Sequence, residues 1–131
     1  MSQDVLAALK RRDLEPRSAE LLVSPGLLVG PKAARHEAKG DALSPADWLS
    51  LPGRLRQPSV VLFDEESGRV IYILASPDGS SQLAVELDYF KSGRNAPPTS
   101  NMIISSYRPV MAEVMRRIAN GKLTILSGAL R

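Results

Sequence analysis

Ser59-Val60-Val61-Leu62-Phe63-Asp64-Glu65-Glu66-Ser67-Gly68-Arg69-Val70-Ile71-Tyr72-Ile73-Leu74-Ala75 is the stretch that decides the fold. Two apolar, β-branched runs flank a polar segment that ends in glycine, which is the pattern of a β-hairpin with strands Ser59 to Phe63 and Arg69 to Ala75. The next residues, Ser76-Pro77-Asp78-Gly79-Ser80, put proline and an Asp-Gly pair in turn positions. Gln82 to Tyr89 then alternates, with Leu83, Val85 and Leu87 on one face, and reads as a half-exposed third strand. A loop from Lys91 to Asn101, rich in Gly, Pro, Ser and Asn, leads to a fourth strand, Met102 to Ser106, and Lys122 to Leu126 is the candidate for a last, edge strand.

Helical patterns lie on either side of these strands. Asp4 to Arg12 has Val5, Leu6 and Leu9 at helical spacing, with a basic triplet toward the C-terminal end and Pro16 beyond to stop it. Leu21 to Val29 is apolar but broken by Pro25-Gly26, so it reads as short extended pieces around a turn. Pro31 opens a second helix through Lys39, ended by Gly40. Ser44 caps a third with Pro45 at its first position; Trp48, Leu49 and Leu51 form its buried face and Pro52-Gly53 closes it. Late in the chain, Pro109 to Asn120 forms a helix with Val110, Met111, Val114 and Ile118 inward. Turn-linked strands with helices at the ends define an α+β class: N-terminal helices, a four- to five-stranded antiparallel sheet and a late helix. Residues 1–28 form a helix and extended lead-in, and residues 29–131 the α+β unit.

Composition narrows the function classes. The 131 residues suit one domain, and 44% are hydrophobic, as in an ordinary globular protein. The longest apolar run, Val70 to Ala75, is far short of the ~20 residues that span a bilayer. Met1-Ser2-Gln3-Asp4 shows no signal-peptide pattern, so the expected location is cytoplasmic, with delivery into another cell or association with a virion left open. Cysteine is absent and histidine occurs once, so disulfides, thiolate zinc sites, cysteine nucleophiles and a multi-histidine metal site within one chain are excluded. No metal or cofactor is expected. The net charge of +3 is mild, but cations cluster at Lys10-Arg11-Arg12, Lys32 and Arg35, Arg54 and Arg56, Lys91 and Arg94, and Arg116-Arg117. Such clusters suit a polyanion such as nucleic acid, or are the solvated faces of helices.

Three segments have residues able to do chemistry. His36 titrates near neutral pH and stands among Lys32, Arg35 and Lys39, which lower its pKa and attract phosphate; it is otherwise a surface residue of a polar helix. Asn101-Met102-Ile103-Ile104-Ser105-Ser106-Tyr107 alternates on a strand, so Asn101, Ile103, Ser105 and Tyr107 share a face offering amide and hydroxyl donors to a phosphate or oxyanion. The alternative is a plain strand end turning into the helix led by Pro109. The basic loop Lys91-Ser92-Gly93-Arg94-Asn95 precedes that strand and is either a phosphate grip or a solvated connection. Asp64-Glu65-Glu66 falls on a hairpin tip and reads as a solvated turn, not an acid pair for catalysis.

Together these elements resemble a known pattern. It runs from a histidine on a short Lys-rich helix (Lys32 to His36) through Leu51-Pro52 and a hairpin opened by Pro58-Ser59-Val60. A Val85-Glu86-Leu87-Asp88-Tyr89 strand and an Asn-x-Ile-x-Ser-x-Tyr strand (Asn101 to Tyr107) complete it. The pattern is similar to the phage-associated nuclease-like domains of the barnase–EndoU–colicin–RelE superfamily, including the C-terminal domain of MuF-type phage head proteins, and covers Val29 to Ile125. The resemblance implies a helix-then-sheet fold and metal-independent RNA cleavage, in which the ribose 2′-hydroxyl attacks the adjacent phosphate. It implies His36 as general acid/base and Ser105 and Tyr107 as the polar residues of the late strand, in a ribonuclease or RNase-like toxin whose partners are RNA and an immunity or antitoxin protein. Arg35, Lys91, Arg94 and Asn101 are added as substrate-binding residues on electrostatic and hydrogen-bonding grounds. With a single histidine, Tyr107, Lys91 or Arg94 has to share the proton and charge work, and the aromatics are few for base stacking. The competing reading is a non-catalytic, phage-associated protein- or nucleic-acid-binding module on the same fold. Transfer of ADP-ribose lacks a recognisable residue constellation.

Overall fold

The computed structural model describes residues 1–16, 21–23, 51, 53–76, 79–89, 100–107 and 109–128. Helix α1 (Gln3–Lys10) starts where the Ser2 hydroxyl accepts the Val5 N–H at 3.3 Å, satisfying one of the orphan donors of the first turn. It ends well before Pro16. Asp13 takes a left-handed conformation (φ 61°), and the Leu14 N–H donates to the Leu9 carbonyl at 2.9 Å, closing the helix.

Six strands form one sheet: β1 (Leu21–Val23), β2 (Val60–Asp64), β3 (Val70–Ser76), β4 (Gly79–Tyr89), β5 (Ser100–Tyr107) and β6 (Leu123–Gly128), in the order β1-β5-β4-β3-β2-β6. The five strands from β2 to β6 pair antiparallel, as the turn chemistry requires, and β6 is an edge strand. The hairpin between β3 and β4 is closed by the Ser76–Gly79 pair. The short apolar run at Leu21 adds a sixth strand, and it pairs parallel to β5. That departs from the purely antiparallel expectation, and it is possible because the long connection from β1 to β5 can cross over the sheet.

Alternation splits the strand side chains between two cores. Val61, Phe63, Tyr72, Leu74, Leu83 and Ile103 face the layer that holds Val5 and Leu9 of α1 together with Leu51 and Leu55. Val60, Leu62, Ile71, Ile73 and Ala84 face a second helix, α2 (Met111–Ala119), through Val114, Met111 and Ile118. Cover on both faces explains why β2 and β3 read as continuous apolar runs. It also corrects the half-exposed reading of the third strand, since residues 81–85 of β4 are all buried. Val110, expected inward, is 70% exposed because α2 begins one residue later and Val110 only flanks it. Residues 53–55 are helical, beyond the Pro52-Gly53 pair expected to end that segment. The expected helix from Pro31 to Lys39, the start of the Ser44 helix and the 28/29 boundary lie outside the described residues.

The sheet edge is fitted closely. A register shift between Val61 and Leu62 gives β6 an extra residue, and alternation along β6 puts Leu126 with the α1-side core and Leu123 with the α2-side core. Gly128 then passes Ser59 with φ 79°, so close that a Cβ atom there would lie 2.4 Å from the Ser59 carbonyl oxygen.

Candidate functional site

The late strand β5 is where sequence reasoning placed the polar catalytic face, and its backbone register rearranges that face. Ile103 pairs with Val85 and Ser105 with Ala84, so Ile104 is an extra residue that bulges out of the β4–β5 ladder. Val85 belongs to the α1-side core and Ala84 to the α2-side core. Asn101 and Ile103 therefore hold register positions of the α1 face. Ser105 and Tyr107, the latter opposite Gln82, hold positions of the α2 face. The four residues do not share one face as unbroken alternation predicts; a bulge inverts every position after it. Asn101 is fully buried, beside Leu21 of β1. His36, Arg35, Lys91 and Arg94 lie outside the described residues.

The structure assembles other polar groups at the same end of the sheet. Ser81 pairs with Leu74, and Ser106 with Leu83; both leucines belong to the α1-side core, which puts both serines on that face, buried. Arg54, from the helical segment over that face, donates from Nη1 to Ser81 Oγ at 3.4 Å. Tyr72 pairs with Leu83 on the same face, is 2% exposed, and its hydroxyl has no hydrogen-bond partner among the described residues. Burial in these apolar surroundings pushes the Tyr72 phenol up to about 12, so it stays a neutral donor. A guanidinium beside a seryl hydroxyl is a chemistry suited to an oxyanion. In the sequence Arg54 was one basic residue among several pairs, and Ser81 merely followed a turn. Nothing local marked their meeting across 27 residues.

The acidic turn has a structural task. Asp64 accepts the N–H groups of Glu66 at 2.9 Å and Ser67 at 3.3 Å and binds Arg117 at 3.2 Å. Burial pushes its carboxyl up, but those N–H groups and the Arg117 guanidinium outweigh that and hold it below the ordinary carboxylate range. Glu65 is bound by Arg12, which also lies over the Phe63 ring at 4.8 Å, and Thr124 donates to Glu65 at 2.8 Å. Lys122 reaches Glu66 at 3.7 Å. Elsewhere Arg116 pairs with Glu113 and Arg69 with Glu86. Much of the clustered positive charge on the described surface is thus taken up by carboxylates of the same chain. Among the described residues no group of three or more His, Cys, Asp or Glu is placed to hold a metal ion. No described helix is long and apolar enough to cross a membrane.

Fold and site define an α+β protein with one helix-flanked sheet and a polar end on β4 and β5. Over 87 residues the chain is 28% identical to "Putative capsid assembly protein F" of Escherichia phage Mu. That stretch is 66% of this chain and 19% of the phage protein, so the chain matches about a fifth of its relative's length. The likeness supports a phage association. No family model matches the chain, and no solved structure does.

Proposed function

We propose that this chain is a phage-associated, metal-independent ribonuclease domain. The partial identity with a phage capsid assembly protein supports the phage association alone, and the ribonuclease reading rests on the resemblance of motifs. Short motifs, read separately, resemble the nuclease-like domains attached to phage head proteins. The helix-led sheet with a late helix is the fold class that resemblance implies. In the proposed reaction His36 takes the proton of a ribose 2′-hydroxyl, whose oxygen attacks the adjacent phosphorus. The bond from phosphorus to the 5′-oxygen breaks, and that oxygen receives a proton, leaving a 2′,3′-cyclic phosphate and a 5′-hydroxyl. Tyr107, Lys91 or Arg94 shares the proton and charge work, and Ser105 donates to the phosphate oxygens. An immunity or antitoxin protein fits as partner for such an activity.

The test is RNA incubated with purified protein in the presence of a chelator. Cleavage products ending in cyclic phosphate are expected, with a rate loss of about 10²–10⁴-fold in His36→Ala, the usual worth of a general acid/base. Full activity in that variant removes His36 from the mechanism, and no turnover on any RNA removes the enzyme reading. A second reading, a non-catalytic binding module, is favoured by one observation: Arg12, Arg69, Arg117 and Lys122 are engaged by carboxylates and do not form an open basic surface. Stable co-purification with a capsid component, without RNA turnover and without effect of His36→Ala, decides for it.

A further inference from the structure

The edge of the sheet at β6, with the helix that leads into it, forms a surface that the RNA chemistry does not use. We propose that this edge is the contact of a two-fold dimer, in which β6 pairs antiparallel with β6 of a second copy and the two α2 helices run antiparallel alongside. Such a dimer holds whether or not the chain cuts RNA.

Among the described residues β6 pairs with β2 alone, so its outer row of backbone N–H and C=O groups faces no strand. Sheet edges of monomers are commonly blunted by charge or proline, yet Leu123-Thr124-Ile125-Leu126-Ser127-Gly128 has neither. The extra residue, Leu126, leaves Leu123 to Ile125 in regular register. The charge next to the strand, Lys122, is drawn to Glu66 at 3.7 Å. Apolar surface collects at the same edge. The large hydrophobics exposed among the described residues are Met115 at 57% and Ile125 at 44%, with Val110 just ahead of α2. Ile125 pairs with Leu62 and so faces the α2 side. Arg117 reaches from α2 to Asp64 of β2, which lies inward of β6 in the strand order. Met115, two residues earlier and thus ~200° round the helix, therefore faces the open edge. It lies ~6 Å back along α2 from Ala119, and Ile125 lies ~7 Å along β6 from Leu123. Only a tight turn separates the two elements, closed by the Lys122 N–H donating to the Arg117 carbonyl at 2.9 Å, so Met115 and Ile125 are level. A two-fold axis at Ile125 sets this residue directly opposite its mate, with the two Met115 side chains flanking the pair on one sheet face. Charge favours a second copy as the occupant. Helix α2 has its acid, Glu113, in the first turn and its cations, Arg116 and Arg117, in the last. Two copies run antiparallel about Met115 put Glu113 of each level with Arg117 of the other and one residue from Arg116, so acid meets cation at both ends.

The experiment measures the mass of the full chain in solution by sedimentation over a dilution series. A dimer of twice 14.2 kDa is expected, dissociating on dilution. Ile125→Lys puts like charges directly opposite and is expected to weaken association about a hundredfold or more, with its thermal transition retained. Ile125→Asp alone should do the same, and an equimolar mixture of the two variants should restore a dimer. The chain has no cysteine, so Ile125→Cys supplies a single thiol. Opposite residues of an antiparallel pair stand ~4.5–5.5 Å apart at Cα, within the span of a disulfide. Mild oxidation should therefore cross-link Ile125→Cys and leave Val110→Cys, which does not face its own mate, as separate chains. Where Ile125→Lys fails to fold, the cross-linking of Ile125→Cys against Val110→Cys decides. A monomer at every concentration overturns the proposal, and so does a dimer that Ile125→Lys leaves intact and Ile125→Cys does not cross-link. Species that keep growing with concentration also overturn it, because they mean head-to-tail pairing of β6 with a different edge and no closed two-fold.

Discussion

Tyr72→Phe isolates one oxygen atom in the middle of the sheet. The ring is 2% exposed and packs in the α1-side core, while its hydroxyl is buried with no partner among the described residues. Leaving a buried hydroxyl unpaired costs about 1–3 kcal/mol, and phenylalanine keeps the ring volume while removing that cost. The variant is therefore expected to be more stable than the parent by about 1 kcal/mol at neutral pH, a rise of about 4 °C in Tm for a chain of this size. The gap widens in alkali. The unfolded phenol ionises around its ordinary value of ~10, whereas the folded one holds its proton to about 12. A raised folded value means that this stability is complete below pH 10 and is lost as pH climbs through the folded pKa. The parent should give up about 2–3 kcal/mol relative to Tyr72→Phe between those limits. Urea unfolding of both proteins from pH 7 to 12, read at unchanged m-value, measures this directly. A variant less stable than the parent by about 1 kcal/mol or more at neutral pH refutes the reasoning, because the hydroxyl would then have a partner, and so does a gap that stays constant into alkali, because the phenol would then not be held neutral by burial.

Two further perturbations test the frame around the site. Asp64→Asn keeps an acceptor for the turn N–H groups but loses the charge facing Arg117, so a loss of about 1 kcal/mol is expected at pH 7. The folded carboxyl is held low, so its contribution is present above the ordinary value of ~3.9 and disappears as pH falls through the folded one; urea midpoints of the two proteins should converge in acid. Gly68→Ala and Gly128→Ala meet similar left-handed backbone, φ 75° and 79°. Open space surrounds Gly68, so only the ~1–2 kcal/mol of conformational strain is expected there. At Gly128 the added methyl strikes the Ser59 carbonyl, and a thermal midpoint lower than that of Gly68→Ala is expected.

The legible parts of the fold were those with local causes. The β2–β3 hairpin follows from two β-branched runs and a turn that Gly68 completes at φ 75°. The α1 spacing put Val5 and Leu9 inward, as found. The acidic triplet read as a turn, and its cation partners Arg12, Arg117 and Lys122 come from distant segments that no local pattern connects to it. The polar strand was visible as a strand, but its faces were not. The bulge at Ile104 depends on how β5 pairs with β4, a long-range choice, and it separates Asn101 from Ser105 and Tyr107. Arg54 beside Ser81 was invisible for the same reason, since the contact joins two elements that only the folded sheet brings together.

The sequence by itself determined the class: helices at the ends, turn-linked strands between, no cysteine chemistry, and His36 as the single histidine. Periodicity, turn residues and composition act over a few residues, and those features are local. Tertiary structure alone decided that β1 joins the sheet parallel to β5 and that both sheet faces are covered. It alone decided which side chains meet at the end of β4 and β5. Register and layer packing are set by which distant apolar surfaces bury one another best. A one-residue bulge that leaves composition and hydropathy unchanged redirects every side chain beyond it.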